Sequence, residues 1–324
     1  MKLIVQIPCL NESLTLHHVL NDIPTEIPGI DSIETLVVDD GSTDGTAATA
    51  LSLGVHHIAR HRHNRGLAAA FSTGLATACA LGADIIVNTD GDNQYPGRYI
   101  TSLVQPLLAD SADIVIGDRR PEQDSRQSLA KRGLYLIGRI AVSRVLGRKI
   151  PDPVSGFRAY SRNVAERMYV VTRFSYTIET LMQSIEKGHA IRFVPITTNS
   201  VTRPSRLFRS HIQFVTRSGA TLLRVFYMYH PLQALVYLSG LIGMFGSLPI
   251  VRFVVFYSLG EGEGHLQSLI LGATLMVLAA VTLLTGLLAE LVSHNRVHLD
   301  RVIEDEIAKR HINAVSVDES QVKS

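Results

Sequence analysis

A chain of 324 residues with a formal charge of +2 has room for one large domain or two moderate ones. Only 19% of the residues are charged, 46% are hydrophobic and the mean hydropathy is positive, which is unusual for a purely soluble enzyme and points to embedded segments. The charge gives no case for a nucleic-acid partner, and Cys9 and Cys79 have neither metal-site nor redox spacing, so no disulfide framework is expected.

The N-terminal MKLIVQIP has too short an apolar run for a signal peptide and reads as a strand over residues 2–7, closed by Pro8. LNES (10–13) leads into a helix over 14–20, and a second strand over 32–38 runs into DDGSTDGT (39–46). Ser42, Thr43 or Asp44 can cap the helix that follows. A short strand over 55–59 precedes HNRG and a Gly/Ala-rich helix over 66–81, whose small side chains allow close approach to a sheet. The spacing then predicts a strand over 84–88, a helix over 99–109 and a strand over 113–117 ending in Asp118-Arg119-Arg120.

Strands and helices alternate, and the strands are unbroken apolar runs. That pattern predicts an α/β fold with a parallel sheet covered on both faces. Such sheets bind ligands at the carboxyl ends of their strands, where the polar residues of this chain gather. Neither GxGxxG after the first strand nor GxxxxGK[ST] is present, which disfavours a dinucleotide fold and a P-loop ATPase.

The most pointed stretch is ADIIVNTDGDNQYP (83–96). Two carboxylates one residue apart, Asp90 and Asp92, repel each other and lose solvation if covered, unless a cation lies between them. A divalent metal carrying a diphosphate accounts for such a pair; a solvated turn is the plainer reading. Asp39, Asp40 and Asp44 can form caps and turns, but one cap suffices, and the surplus acids suit the base and ribose of a nucleoside. Arg119, at another strand end, could neutralise a phosphate with a bidentate fork or be a surface arginine.

Residues 126–149 alternate Leu129, Leu136, Ile137, Ile140 and Val145 with Lys131, Arg132, Arg139, Arg144 and Arg148 at helical spacing. Such a basic amphipathic helix suits a membrane interface with anionic lipid; a packed helix with a basic outer face is the alternative. PDPVSGFRAY (151–160) is expected to form a rigid loop presenting Asp152, either to an acceptor or as a structural acid. A helix over 174–185 carries Glu179, and a strand over 190–194 follows. Arg203, Arg206 and Arg209 cluster around Pro204, as a phosphate clamp, a juxtamembrane collar or both.

Residues 232–251 and 266–289 contain no charged residue, and each run is long enough to cross a bilayer. Arg203, Arg206, Arg209, Arg217 and Arg224 precede the first, Arg296, Arg301, Lys309 and Arg310 follow the second, and the intervening loop is acidic. The lysine and arginine excess predicts that both ends lie in the cytoplasm. The expected organisation is a cytoplasmic catalytic domain over 1–225, with interface helices near 126–149 and 206–230. Two membrane helices follow over 231–292 (near 232–258 and 266–290), then a cytoplasmic tail over 293–324. Homo-oligomer contacts through the hairpin are a further expectation.

Together IPCLNE (7–12), VVDDGSTDGT (37–46), HNRGLAAAFSTGL (63–75), NTDGDNQYP (88–96), GDR (117–119), DPVSGFRAY (152–160) and FSYTIETL (174–181) resemble the family 2 glycosyltransferases. The resemblance is closest to polyprenyl-phosphate glycosyltransferases of the dolichyl-phosphate mannose synthase kind. It implies a GT-A fold, with a Rossmann-like, mostly parallel sheet and a membrane anchor. Pro8, Glu12, Asp39 and Asp40 would line the nucleoside pocket. Asp90, Asp92 and Gln94 would meet Mn²⁺ or Mg²⁺ and the diphosphate, and Arg119 and Arg203 would contact phosphates. Asp152 would lie beside the acceptor. The family often carries an RxxGxSK-type segment where this chain has Arg203-Pro204-Ser205-Arg206, so the partner of each arginine stays open.

The implied reaction is inverting transfer of a hexosyl group from a nucleotide-diphosphate sugar, of the UDP-glucose or GDP-mannose type, to a polyprenyl phosphate. Transfer to a different lipid or glycan, and a noncatalytic nucleotide-sugar-binding protein, are the rivals. A processive polysaccharide synthase would need more spans and a QxxRW segment, whereas Gln213 is followed by FVTR.

Overall fold

The computed structural model describes residues 1–120, 129–170, 176–199, 226–227, 230–260 and 262–292. Arg203 and the other cations around Pro204, most of the segment 206–230 expected to form a second interface helix, and the expected tail 293–324 lie outside the described residues. The chain divides into two compact units, Met1–Thr221 and Leu222–Ser324.

The first unit is a seven-stranded sheet. Its elements in chain order are β1 (Lys2–Cys9), α1 (Leu16–Asp22), β2 (Ser32–Asp39), α2 (Thr46–Ser52), β3 (His57–Arg60), α3 (Leu67–Ala80), β4 (Ile85–Asn88), α4 (Ile100–Leu108), β5 (Ile114–Asp118), α5 (Leu129–Val145), β6 (Arg158–Ser161), α6 (Arg162–Glu166), α7 (Tyr176–Glu186) and β7 (Ile191–Pro195). The expected ends through β5 fall within two residues of these. The spatial order is β3-β2-β1-β4-β6-β5-β7. All neighbours are parallel except β6, which runs antiparallel to both β4 and β5.

The apolar runs are short because each crosses a buried layer once. Leu3, Ile4, Val5, Leu36, Val37, Val38, Ile86, Val87, Val115 and Ile116 are fully shielded, each worth about 1.5–3 kcal/mol relative to exposure. Gly74 of α3 provides the close approach expected of that helix: a Cβ there would stand 2.4 Å from Gln6 Oε1 and 3.2 Å from Val38 Cγ2. Pro8 does not close the first strand. It pairs opposite Val38, and the β4 ladder has already ended at Gln6, so its missing N–H costs the sheet nothing.

The antiparallel strand corrects the reading of residues 151–160 as a loop throughout. Pro151–Phe157 forms the loop, but Arg158–Ser161 inserts between β4 and β5, with Asn88 opposite Arg158. Arg158, Ala159 and Tyr160 are all buried, so the strand lacks the polar/apolar alternation that would have revealed it.

In the second unit, apolar helices span Pro231–Ser258 and Leu266–Val292, and only 11% of each apolar window is buried. Leu248, Val251, Leu284 and Leu288 are more than half exposed, each forfeiting about 1.5–3 kcal/mol in water. Such helices fit a membrane-anchored protein. They pack on each other through small residues: a Cβ on Gly272 would stand 2.8 Å from the Gly246 carbonyl, and Ser239 donates to the Ala279 carbonyl at 2.8 Å. These glycines serve the hairpin itself and give no ground for an oligomer.

Candidate active site

Because β6 runs backwards, its start lies at the same end of the sheet as the carboxyl ends of β1, β2, β4 and β5. The loop holding Asp152 is thereby delivered beside the turn holding Asp90 and Asp92, 60 residues earlier in the chain. Asp90-Gly91-Asp92 follows β4 directly. Gly91 lets the turn press on β1 and the segment after it, since a Cβ would stand 2.9 Å from Cys9 Sγ and 3.1 Å from Glu12 Cγ. Thr15 Oγ1 lies 2.7 Å from the Gly91 carbonyl and 2.9 Å from Glu12 Oε2. Asp92 Oδ1 accepts from the Gln94 N–H at 3.0 Å. Asn199 secures the far side, its backbone N–H donating to the Gln94 carbonyl at 3.0 Å and its Nδ2 to the Asn93 carbonyl at 2.9 Å.

Burial and the charge of Asp92 push the Asp90 carboxyl up to about 7, with Glu12 adding to the effect and Arg119 opposing it. The fold thus holds a carboxylate where the protein alone compensates it poorly. Hard oxygens one residue apart fit Mn²⁺ or Mg²⁺. Among the described residues no group of three or more His, Cys, Asp or Glu side chains converges. A cation held by Asp90 and Asp92 would therefore draw further ligands from substrate or water, the usual arrangement for a metal–diphosphate.

Around these acids lies a scaffold that the sequence did not advertise. Asn88 accepts from Gln6 Nε2 at 2.8 Å and donates to the Gly156 carbonyl at 2.8 Å and the Tyr176 hydroxyl at 3.2 Å. The Gly156 N–H donates to the Tyr95 hydroxyl at 3.1 Å, and the Tyr95 ring stacks on Phe157 with centroids 5.1 Å apart. A Cβ on Gly156 would stand 2.6 Å from the Tyr176 hydroxyl and 3.3 Å from Asp90 Oδ1. The Asp152 loop thus packs against the Asp90 turn so closely at this glycine that a side chain there would touch the Asp90 carboxylate.

Asp152 and Arg119 also meet each other. Burial pushes the Asp152 carboxyl up, but the charge and hydrogen bonds of Arg119 prevail and hold it below its ordinary value. Arg158, 1% exposed, donates to the carbonyls of Ser155 at 2.8 Å and Pro153 at 3.1 Å and to Thr180 Oγ1 at 2.9 Å. It folds the loop around its own guanidinium, and its charge also favours ionised Asp152. Its only sequence signal was a cation inside the apolar run Phe157–Tyr160. Tyr135 of α5 lies close enough to the Arg119–Asp152 pair for its hydroxyl, pushed up by burial, to feel both charges.

The nucleoside candidates divide. Asp39 is fully buried: Oδ1 accepts from the Ser42 N–H at 2.8 Å, while Oδ2 faces Arg60 Nε at 3.1 Å but makes no hydrogen bond. That oxygen retains capacity for a donor. Asp40 has less, because it accepts from the N–H groups of Arg65 at 2.9 Å and Gly66 at 2.8 Å and from His61 Nδ1 at 2.7 Å. It anchors the start of α3. Asp44, one residue before the N-cap Gly45, accepts the first helical N–H of α2 from Thr46 at 3.0 Å and holds Ser13, so a structural role at the helix start describes it well. Glu12 is buried between the Asp90 turn and Thr46, whose Oγ1 accepts from its N–H at 2.9 Å.

Residues 4–169 match the model of glycosyl transferase family 2. The chain belongs to that family. Among curated relatives, it is 29% identical over 217 residues to the UDP-N-acetylglucosamine–dolichyl-phosphate N-acetylglucosaminyltransferase of Methanococcus voltae, covering 59% of this chain and 83% of that protein. It is likewise 29% identical over 205 residues to the polyprenol monophosphomannose synthase of Mycolicibacterium smegmatis, covering 60% and 76%. Among solved structures, glucosyl-3-phosphoglycerate synthase from Mycobacterium tuberculosis in complex with UDP superposes with a TM-score of 0.53 at 25% identity, over 69% of this chain and 79% of that one. The GT-A expectation and the assignment as a family 2 glycosyltransferase are thereby borne out.

Proposed function

We propose that this enzyme transfers a hexosyl group, with inversion, from a nucleotide-diphosphate sugar to a membrane polyprenyl phosphate, producing a lipid-linked sugar for cell-envelope glycans or glycoconjugates. The observation that carries the reading is the juxtaposition of Asp90 and Asp92 with the Asp152 loop at one end of the sheet. Its relatives' named activities on dolichyl and polyprenyl phosphates, together with the two apolar helices, support the lipid acceptor.

Asp39, through its Oδ2 beside Arg60, receives the base, with Pro8 and Glu12 shaping the pocket wall and Asp40 fixing the helix beside it. Asp90, Asp92 and Gln94 would hold Mn²⁺ or Mg²⁺ together with the donor diphosphate. When bound, the metal offsets charge on the leaving nucleoside diphosphate. Arg119 and Arg203 add positive charge on the phosphates. Asp152 acts through Arg119, whose guanidinium it holds, to orient the acceptor phosphate so that its oxygen attacks C1 from the face opposite the leaving group. A phosphate monoester is already largely ionised near neutral pH, so Asp152 need not remove a proton. The cation excess flanking the hairpin supports a cytoplasmic catalytic face.

The test uses membranes containing the full chain, undecaprenyl or dolichyl phosphate, Mn²⁺ or Mg²⁺, and a panel of radiolabelled UDP- and GDP-sugars. Metal-dependent label in the lipid fraction from one donor supports the proposal and names the sugar. Label in a soluble or glycan product, or none from any donor, refutes it.

A further inference from the structure

A concave site of about 460 Å³ lies at the C-terminal end of α5, lined by Arg139, Ile140, Ser143, Arg144, Gly147, Arg148 and Lys149. We propose that it binds the headgroup of an anionic phospholipid, separately from the transfer site.

Its shape comes from how the helix ends. Gly147 adopts a left-handed φ of 62°. The N–H groups of Gly147 and Arg148 donate back to the carbonyls of Arg144 at 3.3 Å and Ser143 at 3.2 Å, a Schellman closure. Ser143 Oγ then accepts from the Ile150 N–H at 3.0 Å, folding the outgoing chain against the last turn. Arg148 and Lys149 are thereby set beside Arg139 and Arg144 around one hollow. Cations at a helix C-terminus also complement its dipole, but that effect needs one or two of them and requires no cavity. Here, among the described residues, four line it and no acidic residue does.

The adjoining surface identifies the occupant. Leu136, Ile137 and Ile140 are 38%, 66% and 43% exposed on the turns just before the cations. The exposed surface passes from Leu136 and Ile140 on α5 to Arg144 in its last turn and Arg148 just past Gly147, which suits an amphiphile with its chain toward Leu136 and its phosphate toward Arg148. On the opposite side Val142 and Leu146 are buried and Tyr135 approaches the Arg119–Asp152 pair. One helix thus faces the site on one side and lipid on the other. A soluble anion would account for the cations but not for the exposed apolar row.

Native mass spectrometry of the detergent-solubilised full chain, titrated with phosphatidylglycerol or phosphatidylcholine of matched chains, reads the site. Wild type should retain phosphatidylglycerol preferentially. The variant Arg144→Gln/Arg148→Gln/Lys149→Gln should lose that preference by roughly fivefold per cation removed, whereas Arg148→Lys alone should keep it. Mn²⁺-dependent binding of UDP-sugar or GDP-sugar, measured on the same preparations, should not change, so failure of the lipid site and failure of the transfer reading are separable. Equal retention of both lipids by wild type overturns the proposal, as does an undiminished preference in the triple variant. Loss of polyprenyl phosphate binding in the triple variant would mark the cavity as part of the acceptor site, and also overturns it.

Discussion

Arg119 grips Asp152 with both arms of its guanidinium, Nε to Oδ2 at 2.7 Å and Nη2 to Oδ1 at 2.9 Å. Asp152 is 1% exposed and the Arg119 side chain 15%, so the carboxylate is withdrawn from solvent while the guanidinium side keeps an accessible edge. The residues expected to serve donor and acceptor separately are thus bound to each other. A substrate phosphate reaching Arg119 must share it with Asp152, which couples the two halves of the reaction through one ion pair.

Breaking that pair from either side should be costly. Arg119→Ala leaves a buried carboxylate uncompensated and should destabilise the domain by about 3–5 kcal/mol, read by denaturant unfolding of the full chain in micelles. The folded carboxyl of Asp152 is held below its ordinary value, so its stabilisation is complete above that ordinary value and lost as pH falls through the lowered one. Asp152→Asn should flatten the acid limb of the stability profile; an unchanged limb would show that the pair does not govern it.

Asp90→Asn should separate function from stability. It removes a buried charge repelled by Asp92, so the thermal midpoint without metal should hold or rise. Metal-dependent transfer should fall on the order of a hundredfold or more. Asp92→Asn should lose activity similarly, and full activity in either variant would remove the metal assignment.

Gly156→Ala tests contact between the two loops. The added methyl must displace the buried Tyr176 hydroxyl and crowds the Asp90 carboxylate, at a cost of about 1–3 kcal/mol. Transfer should drop while donor-nucleotide binding, measured by calorimetry, changes less.

Asp44 should serve only the start of α2. Burial works against its charge, but hydrogen bonds from Thr46 and Ser13 lower its carboxyl to about 2. Its contribution is full above its ordinary value near 4 and disappears as pH falls through about 2. Asp44→Ala should cost about 1 kcal/mol near neutral pH and leave the apparent affinity for donor unchanged.

Much of this could be read from the residues because β2 and β5 end in Asp39 and Asp118 and Asp90 follows β4 by two residues, each where an apolar run stops, a local pattern. The roles of Asp39 and Asp40 differ because backbone N–H groups from residues 65 and 66 occupy Asp40, and that depends on how α3 docks. Arg158 and Tyr176 went unnoticed for a similar reason. Thr180, 22 residues from Arg158, and Asn88, 88 residues from Tyr176, become their neighbours only in the folded domain. Neither residue carries a spacing signature of its own.

The backward course of β6 also gives the two ends of the sheet unequal tolerance for changes in length. Turns at the far end, near Ser111 and Gly188, can gain or lose residues without touching the chemistry. A single deletion between Pro153 and Phe157 would pull the strand one step along β4, turning Arg158 and Tyr160 to the faces now held by Phe157 and Ala159. Within this family, variation in sugar or acceptor should therefore arise through side-chain replacement in that loop, with its length kept constant.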